Sequence, residues 1–134
     1  MNCIFCDIVS KKIPAYVIAE NDNALAFLDI NPISDGHTVI ISKKHYANLR
    51  ECPEEVLSDM IKLTKIVANK ISDSKLKPWG FNYLSNDQKI SGQEIMHIHF
   101  HVIPKYGKNE GFTFKIGTHY VDDVKKIYTI LNKK

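Results

Sequence analysis

The chain has 134 residues, 44% hydrophobic and 25% charged, with a net charge of +3 from 18 Lys and Arg against 15 Asp and Glu. That length holds one domain, 1–134, with enough apolar material for a core that needs neither disulfides nor a metal as its main support. The lysines are spread without a dense basic block, and no apolar run approaches the roughly 18 residues of a membrane span, so nucleic acid and membrane are excluded as expected partners.

The N-terminus Met1-Asn2-Cys3-Ile4-Phe5-Cys6-Asp7 lacks the basic-then-apolar plan of a signal peptide, so the expected localisation is cytoplasmic. Three cysteines, Cys3, Cys6 and Cys52, are an odd number and fit reduced thiols better than a disulfide framework. Residues 4–11 predict a short helix, which Pro14 ends. Residues 16–20 and 24–30 read as strands joined by the polar turn Asn21-Asp22-Asn23, and residues 37–42 as a third strand after the turn Ser34-Asp35-Gly36. Pro53, Glu54 and Glu55 open a helix expected over 53–72, because Pro needs no N–H partner in the first turn and carboxylates favour the positive end of the dipole. Val56, Leu57, Met60, Ile61, Leu63, Thr64, Val67 and Ile71 lie close to helical period and imply a broad buried face. Residues 79–84 predict a fourth strand, 85–92 a polar loop, and 121–131 a last helix with Val124, Ile127, Tyr128 and Leu131 on one side and Asp122 and Asp123 in its first turn. Five strands with one long and one or two shorter helices, not alternating regularly, imply an α+β fold with an antiparallel sheet.

The loop leads into His97-Ile98-His99-Phe100-His101-Val102-Ile103. As a strand, this spacing sets three imidazoles on one face about 6.6 Å apart and Ile98, Phe100 and Val102 on the other. The histidines could line a solvated face, ligate a metal, or attack phosphorus with one imidazole while its neighbours stabilise charge. Period alone does not choose between these.

The flanks carry a resemblance that does. Gly92-Gln93-Glu94-Ile95-Met96 before the histidines resembles the signature of the histidine triad (HIT) nucleotide hydrolases. Cys3-Ile4-Phe5-Cys6, Ile13-Pro14, Ala26-Phe27-Leu28-Asp29-Ile30-Asn31-Pro32, Gly36-His37-Thr38-Val39-Ile40-Ile41 and Lys44-His45 resemble that family in the same order. The likeness covers roughly residues 3–106, and the tail 107–134 carries little of it. Glu94 stands where some eukaryotic members carry serine, so the chain is more similar to the bacterial-type, Hint-like branch.

The resemblance implies a HIT-like fold and a hydrolase acting at the α-phosphate of purine nucleotides through a covalent nucleotidyl-histidine. By position in the motif, His99 would be the nucleophile, His101 the phosphate-side donor and acid, His37 their support from the third strand, and Gln93 and Asn86 contacts to phosphate or leaving group. Asp29 would bind ribose hydroxyls, and Phe27, Ile30 and Ile8 would wall the base, although each of the three reads equally well as core. Phosphoramidates and dinucleoside polyphosphates are both open as substrates, and a nucleotidyl transferase is a further possibility. A nucleotide- and zinc-binding adaptor with incidental catalysis is the alternative from another class.

The Cys3-x-x-Cys6 spacing is half of a zinc site, with a redox dithiol as its rival. Some members of the family complete such a site with the histidine after the third strand and the first of the triad, here His45 and His97, which implies one structural zinc. The family also implies a homodimer, with helix 53–72 and the fourth strand as its interface.

Overall fold

The computed structural model describes residues 2–119 and 121–133. Its elements in chain order are α1 (Ile4–Val9), β1 (Val17–Glu20), β2 (Ala24–Leu28), β3 (Thr38–Ser42), α2 (Glu54–Ser72), β4 (Gly80–Leu84), β5 (His99–Lys105) and α3 (Val124–Leu131). The strands form a five-stranded sheet in the order β1-β2-β3-β5-β4, with every pairing antiparallel. The expected α+β architecture is the one found.

Alternation along the strands divides the sheet into two chemically different faces. On one, Ala24, Ala26, Ile40, Phe100 and Val102 pack against Met60, Leu63, Val67 and Ile71 of α2, making the larger apolar cluster. On the other, Leu25, Phe27, Val39 and Ile41 pack against Cys3 and Phe5 of the N-terminal segment. Register then fixes where the histidines stand: His101 pairs with Val39 and His99 with Ile41, on the N-terminal-segment side.

Most boundaries shift by one or two residues from expectation, with α1 ending at Val9 rather than 11 and β2 at Leu28 rather than 30, and the shifts at β5 and α3 have a physical reason. β5 starts at His99 rather than His97, because the His97 N–H closes a tight turn on the Ile95 carbonyl at 2.8 Å and the Ile98 N–H bonds Tyr46 at 2.7 Å, outside the ladder. The strand also runs through Pro104 to Lys105. Pairing with β3 ends at Val102, so Pro104, which has no N–H, faces β4 alone, as an edge residue would. Finally, α3 begins at Val124, with the Asp123 carboxylate accepting from the Lys125 N–H at 3.2 Å as its cap, so Asp122 and Asp123 precede the first turn. No residue of α3 is buried, and Val124, Ile127, Tyr128 and Leu131 on its apolar side are exposed.

Truncating Met60, which has no exposed surface, to Ala is expected to cost about 2–5 kcal/mol, whereas Val124→Ala on exposed α3 should change stability by less than about 0.5 kcal/mol. Urea unfolding of the two variants checks the contrast.

Candidate active site

Between the sheet and the N-terminal segment lies a cavity of about 590 Å³. Asp29, Asn31, His37, Asn86, Glu94, His99 and His101 supply its polar lining, and Phe5, Ile8, Phe27, Ile30 and Phe112 are among its apolar walls. Phe27 is buried edge-on against Phe5, with ring centroids 5.7 Å apart, while Ile30 is 78% exposed at the rim. Gly92 lines the cavity at φ +111°, where a Cβ would come within 3.0 Å of the Asn86 amide nitrogen, so a side chain there would displace Asn86.

His99 and His101 stand side by side on β5 with ring centroids 5.0 Å apart, closer than the strand repeat alone gives because the rings lie at 79° to one another. The two are held in different tautomers. A carbonyl can only accept, so the 2.7 Å contact of His99 Nδ1 with the His97 carbonyl puts the proton on Nδ1 and leaves the lone pair on Nε2. The Ser85 hydroxyl fixes the same stretch of backbone by donating to the His99 carbonyl at 2.8 Å. For His101 the chain of inference starts one strand away. The Ile33 N–H donates to His37 Nδ1 at 3.1 Å, which leaves the His37 proton on Nε2. That N–H meets His101 Nδ1 at 2.9 Å, so His101 carries its own proton on Nε2. The row thus holds a lone pair at His99 Nε2 and an N–H at His101 Nε2. Asp29 is 3.7 Å from His37 Nε2, and its other oxygen accepts from the Asn31 N–H at 2.9 Å.

Burial lowers the pKa of both histidines of the row and of His37, favouring the uncharged imidazole. His101 is brought to about 4 by burial and then by His99 and His37 beside it, with Asp29 opposing.

His97 does not join the row. Its ring is fully buried, Nε2–H donates to the Ser42 carbonyl at 2.8 Å, and Nδ1 is turned to Cys3 Sγ at 3.4 Å and Cys6 Sγ at 3.6 Å. His45 Nδ1 lies 3.4 Å from Cys6 Sγ, and the four donor atoms fall within 4.8 Å of one another. Tetrahedral coordination at zinc bond lengths separates a sulfur from a nitrogen ligand by about 3.6 Å, so this donor set fits the ion. Ser42 fixes the His97 tautomer that leaves Nδ1 free to ligate, as an outer partner of a metal ligand does. Burial raises the Cys6 thiol to about 11, with Cys3 adding to the effect, and a cation between the sulfurs would reverse that.

Gln93 is placed away from the cavity lining. Its amide nitrogen donates to the carbonyls of Ala47 at 2.6 Å and Ile95 at 3.1 Å, and its oxygen accepts from the Gln88 N–H at 2.8 Å, so it braces the loop that carries Asn86 and Glu94. Two side chains that sequence reasoning passed over matter here. Phe5 stands edge-on to both His97 and His99, at 5.7 and 5.0 Å, and Ser42 orients His97. The position of Phe5 between two candidate metal-binding cysteines was the available signal.

Residues 10–108 match the HIT domain. The chain belongs to the HIT family. Across 98% of this HIT chain and 95% of the other, the fold follows the crystal structure of a HIT family member from Bacillus subtilis, with a TM-score of 0.89 and 36% identity. A Zn-bound histidine triad family protein from Mycobacterium smegmatis is 38% identical, with a TM-score of 0.78 over 84% of this chain and 81% of its own. An adenosine 5'-monophosphoramidase of Saccharomyces cerevisiae is 40% identical over 109 residues, 81% of this chain and 66% of the relative. The matched HIT domain begins after Cys3, Phe5 and Cys6.

The lowered histidine pKa values make stability pH-dependent. Between about 4 and 6.5 the unfolded chain binds protons that His97 and His101 refuse, so stability falls as pH drops through that window. The melting temperature of metal-free protein is expected to decline from pH 6.5 to 4, and His101→Asn should make the decline shallower.

Proposed function

We propose that this HIT protein is a hydrolase of adenosine 5'-phosphoramidates, acting through a covalent nucleotidyl intermediate on His99. The observation that carries the reading is the pair of opposite tautomers on β5, a lone pair at His99 Nε2 beside an N–H at His101 Nε2. The first suits attack at phosphorus, since a neutral imidazole needs no strong base to activate it. The second suits a hydrogen bond to a phosphate oxygen as charge builds there. In the first step the His99 Nε2–phosphorus bond forms as the phosphorus–nitrogen bond to the amine breaks. In the second, water oxygen replaces Nε2 on phosphorus. Over the cycle one water gives its oxygen to phosphorus and its two protons to the amine, which leaves as an ammonium ion, with His101 placed to pass them. Asn86 holds the phosphate from the facing loop, Asp29 takes the ribose hydroxyls, and Phe27, Ile8 and Ile30 flank the base. Gln93 acts through the loop it braces. The yeast relative's activity supports the choice of substrate.

Mixing the protein with an adenosine phosphoramidate and quenching rapidly in alkali should trap one acid-labile adenylyl group on the chain. His99→Ala should abolish the adduct and lower kcat by on the order of a thousandfold or more. Retained turnover in that variant would overturn the covalent assignment, and adenosine monophosphate binding with no turnover by the native chain would instead favour an adaptor.

We further propose that Cys3, Cys6, His45 and His97 hold one zinc. With four protein ligands the ion supplies structure rather than an open coordination position, tying the N-terminal segment to the approach to β5. Metal analysis should find one zinc per chain, and chelation or Cys6→Ser should lower the melting temperature. Unchanged melting after complete metal removal would refute the structural role.

A homodimer through α2 and β4 fits this reading. β4 is an edge strand, and Ile61, Ala68 and Tyr83 line a groove of about 540 Å³ beside it.

A further inference from the structure

A cavity that handles phosphates commonly carries lysine or arginine, because a polyphosphate brings several negative charges that need neutralising. This one does not. Among the described residues no lysine or arginine lines it, although the chain has 18 such residues. The carboxyl side chains that do line it are those of Asp29 and Glu94.

These two carboxylates are differently occupied. Asp29 follows β2, accepts from the Asn31 N–H and approaches His37, so it is tied into the wall. Glu94 arrives from the opposite side, on the loop leading to His97 and β5, and no hydrogen bond or ion pair is formed by its carboxylate among the described residues. It is nevertheless close enough to act electrostatically on His99. A free carboxylate at the mouth of the histidine row, with no cation to offset it, sorts ligands by charge. A nucleotide bound by the Asp29 side of the cavity leaves the Glu94 side for whatever is attached to the α-phosphorus.

We propose that Glu94 is a specificity residue for the leaving group, selecting amines that carry a second positive charge and rejecting anionic leaving groups, polyphosphates above all. This rests on the phosphoramidase reading and narrows it to one class of amine. The neutral donors at hand, the His101 N–H and the Asn86 amide, can serve a single phosphate, whereas a departing nucleoside di- or triphosphate would face Glu94 with nothing to balance it.

The test uses three adenosine phosphoramidates of matched length, made from 1,4-diaminobutane, n-butylamine and 4-aminobutanoate, whose free ends are cationic, neutral and anionic. Two unit charges about 6 Å apart in a water-like medium change an equilibrium about threefold for each sign, so the native protein should prefer the cationic over the anionic substrate by about tenfold in kcat/KM. The preference should shrink as ionic strength rises, and diadenosine polyphosphate should be cleaved more slowly than any of the three. Glu94→Gln should reduce the cationic-to-anionic ratio to about threefold or less, and Glu94→Lys should invert it. If all three phosphoramidates are cleaved and the ratio is the same in the native protein and Glu94→Gln, the assignment to Glu94 is wrong while the phosphoramidase reading stands. Cleavage of none of them overturns both.

Discussion

One hydrogen bond, from His99 Nδ1 to the carbonyl of His97, joins the two halves of this molecule's chemistry. It spans a single turn of backbone, yet it decides which nitrogen of His99 keeps a lone pair. On its far side the same residue, His97, has both ring nitrogens committed elsewhere, one to the Ser42 carbonyl and the other toward two thiols. The carbonyl that orients the proposed nucleophile therefore belongs to a residue anchored at its side chain. A carbonyl held this way costs no reorganisation when a substrate arrives, which is the physical content of a preorganised site.

The sheet makes that arrangement possible by keeping unlike demands on opposite faces. α2 covers one face with an almost wholly apolar cluster, which supplies cohesion without polar groups to satisfy. The histidine face is covered only by the N-terminal segment and loops, which leaves room for a cavity and keeps its polar atoms hydrogen-bonded to the protein or open to water. No buried side-chain nitrogen or oxygen among the described residues lacks a hydrogen-bond partner. His37 and His101, on neighbouring strands, extend this economy into a relay that begins at a backbone N–H and ends at a donor facing the cavity.

Much of this was legible in the sequence because it follows from period. Alternation placed His99 and His101 opposite Phe100 and Val102, and helical spacing identified most of the buried side of α2, with Ile61 left exposed at the margin of that face. Period also misled at His97, which continues the alternation in sequence but not in structure, since its backbone turns on Ile95 instead of joining the ladder. The motif implies for Gln93 a contact to phosphate or leaving group, whereas its burial in a loop is decided by Ala47 and Gln88, neither of which local sequence could nominate. The exposed apolar side of α3 is the converse case: amphipathic spacing marks a face to be covered without saying by what.

The donor cluster has a further consequence, for how the protein is made. Cys3 meets His97 across 94 residues of sequence, and Cys6 meets the same ring across 91. During synthesis the two thiols leave the ribosome more than 90 residues ahead of the His97 ring they share, although His45 follows Cys6 by only 39. Contacts of such separation close late, because the loop entropy has to be met before they return anything. The hairpin of β1 and β2 and the helix α2 can form meanwhile from local contacts. The histidine face is then the last part of the fold to be sealed, and the N-terminal thiols remain open to oxidation or to competing metals until that moment.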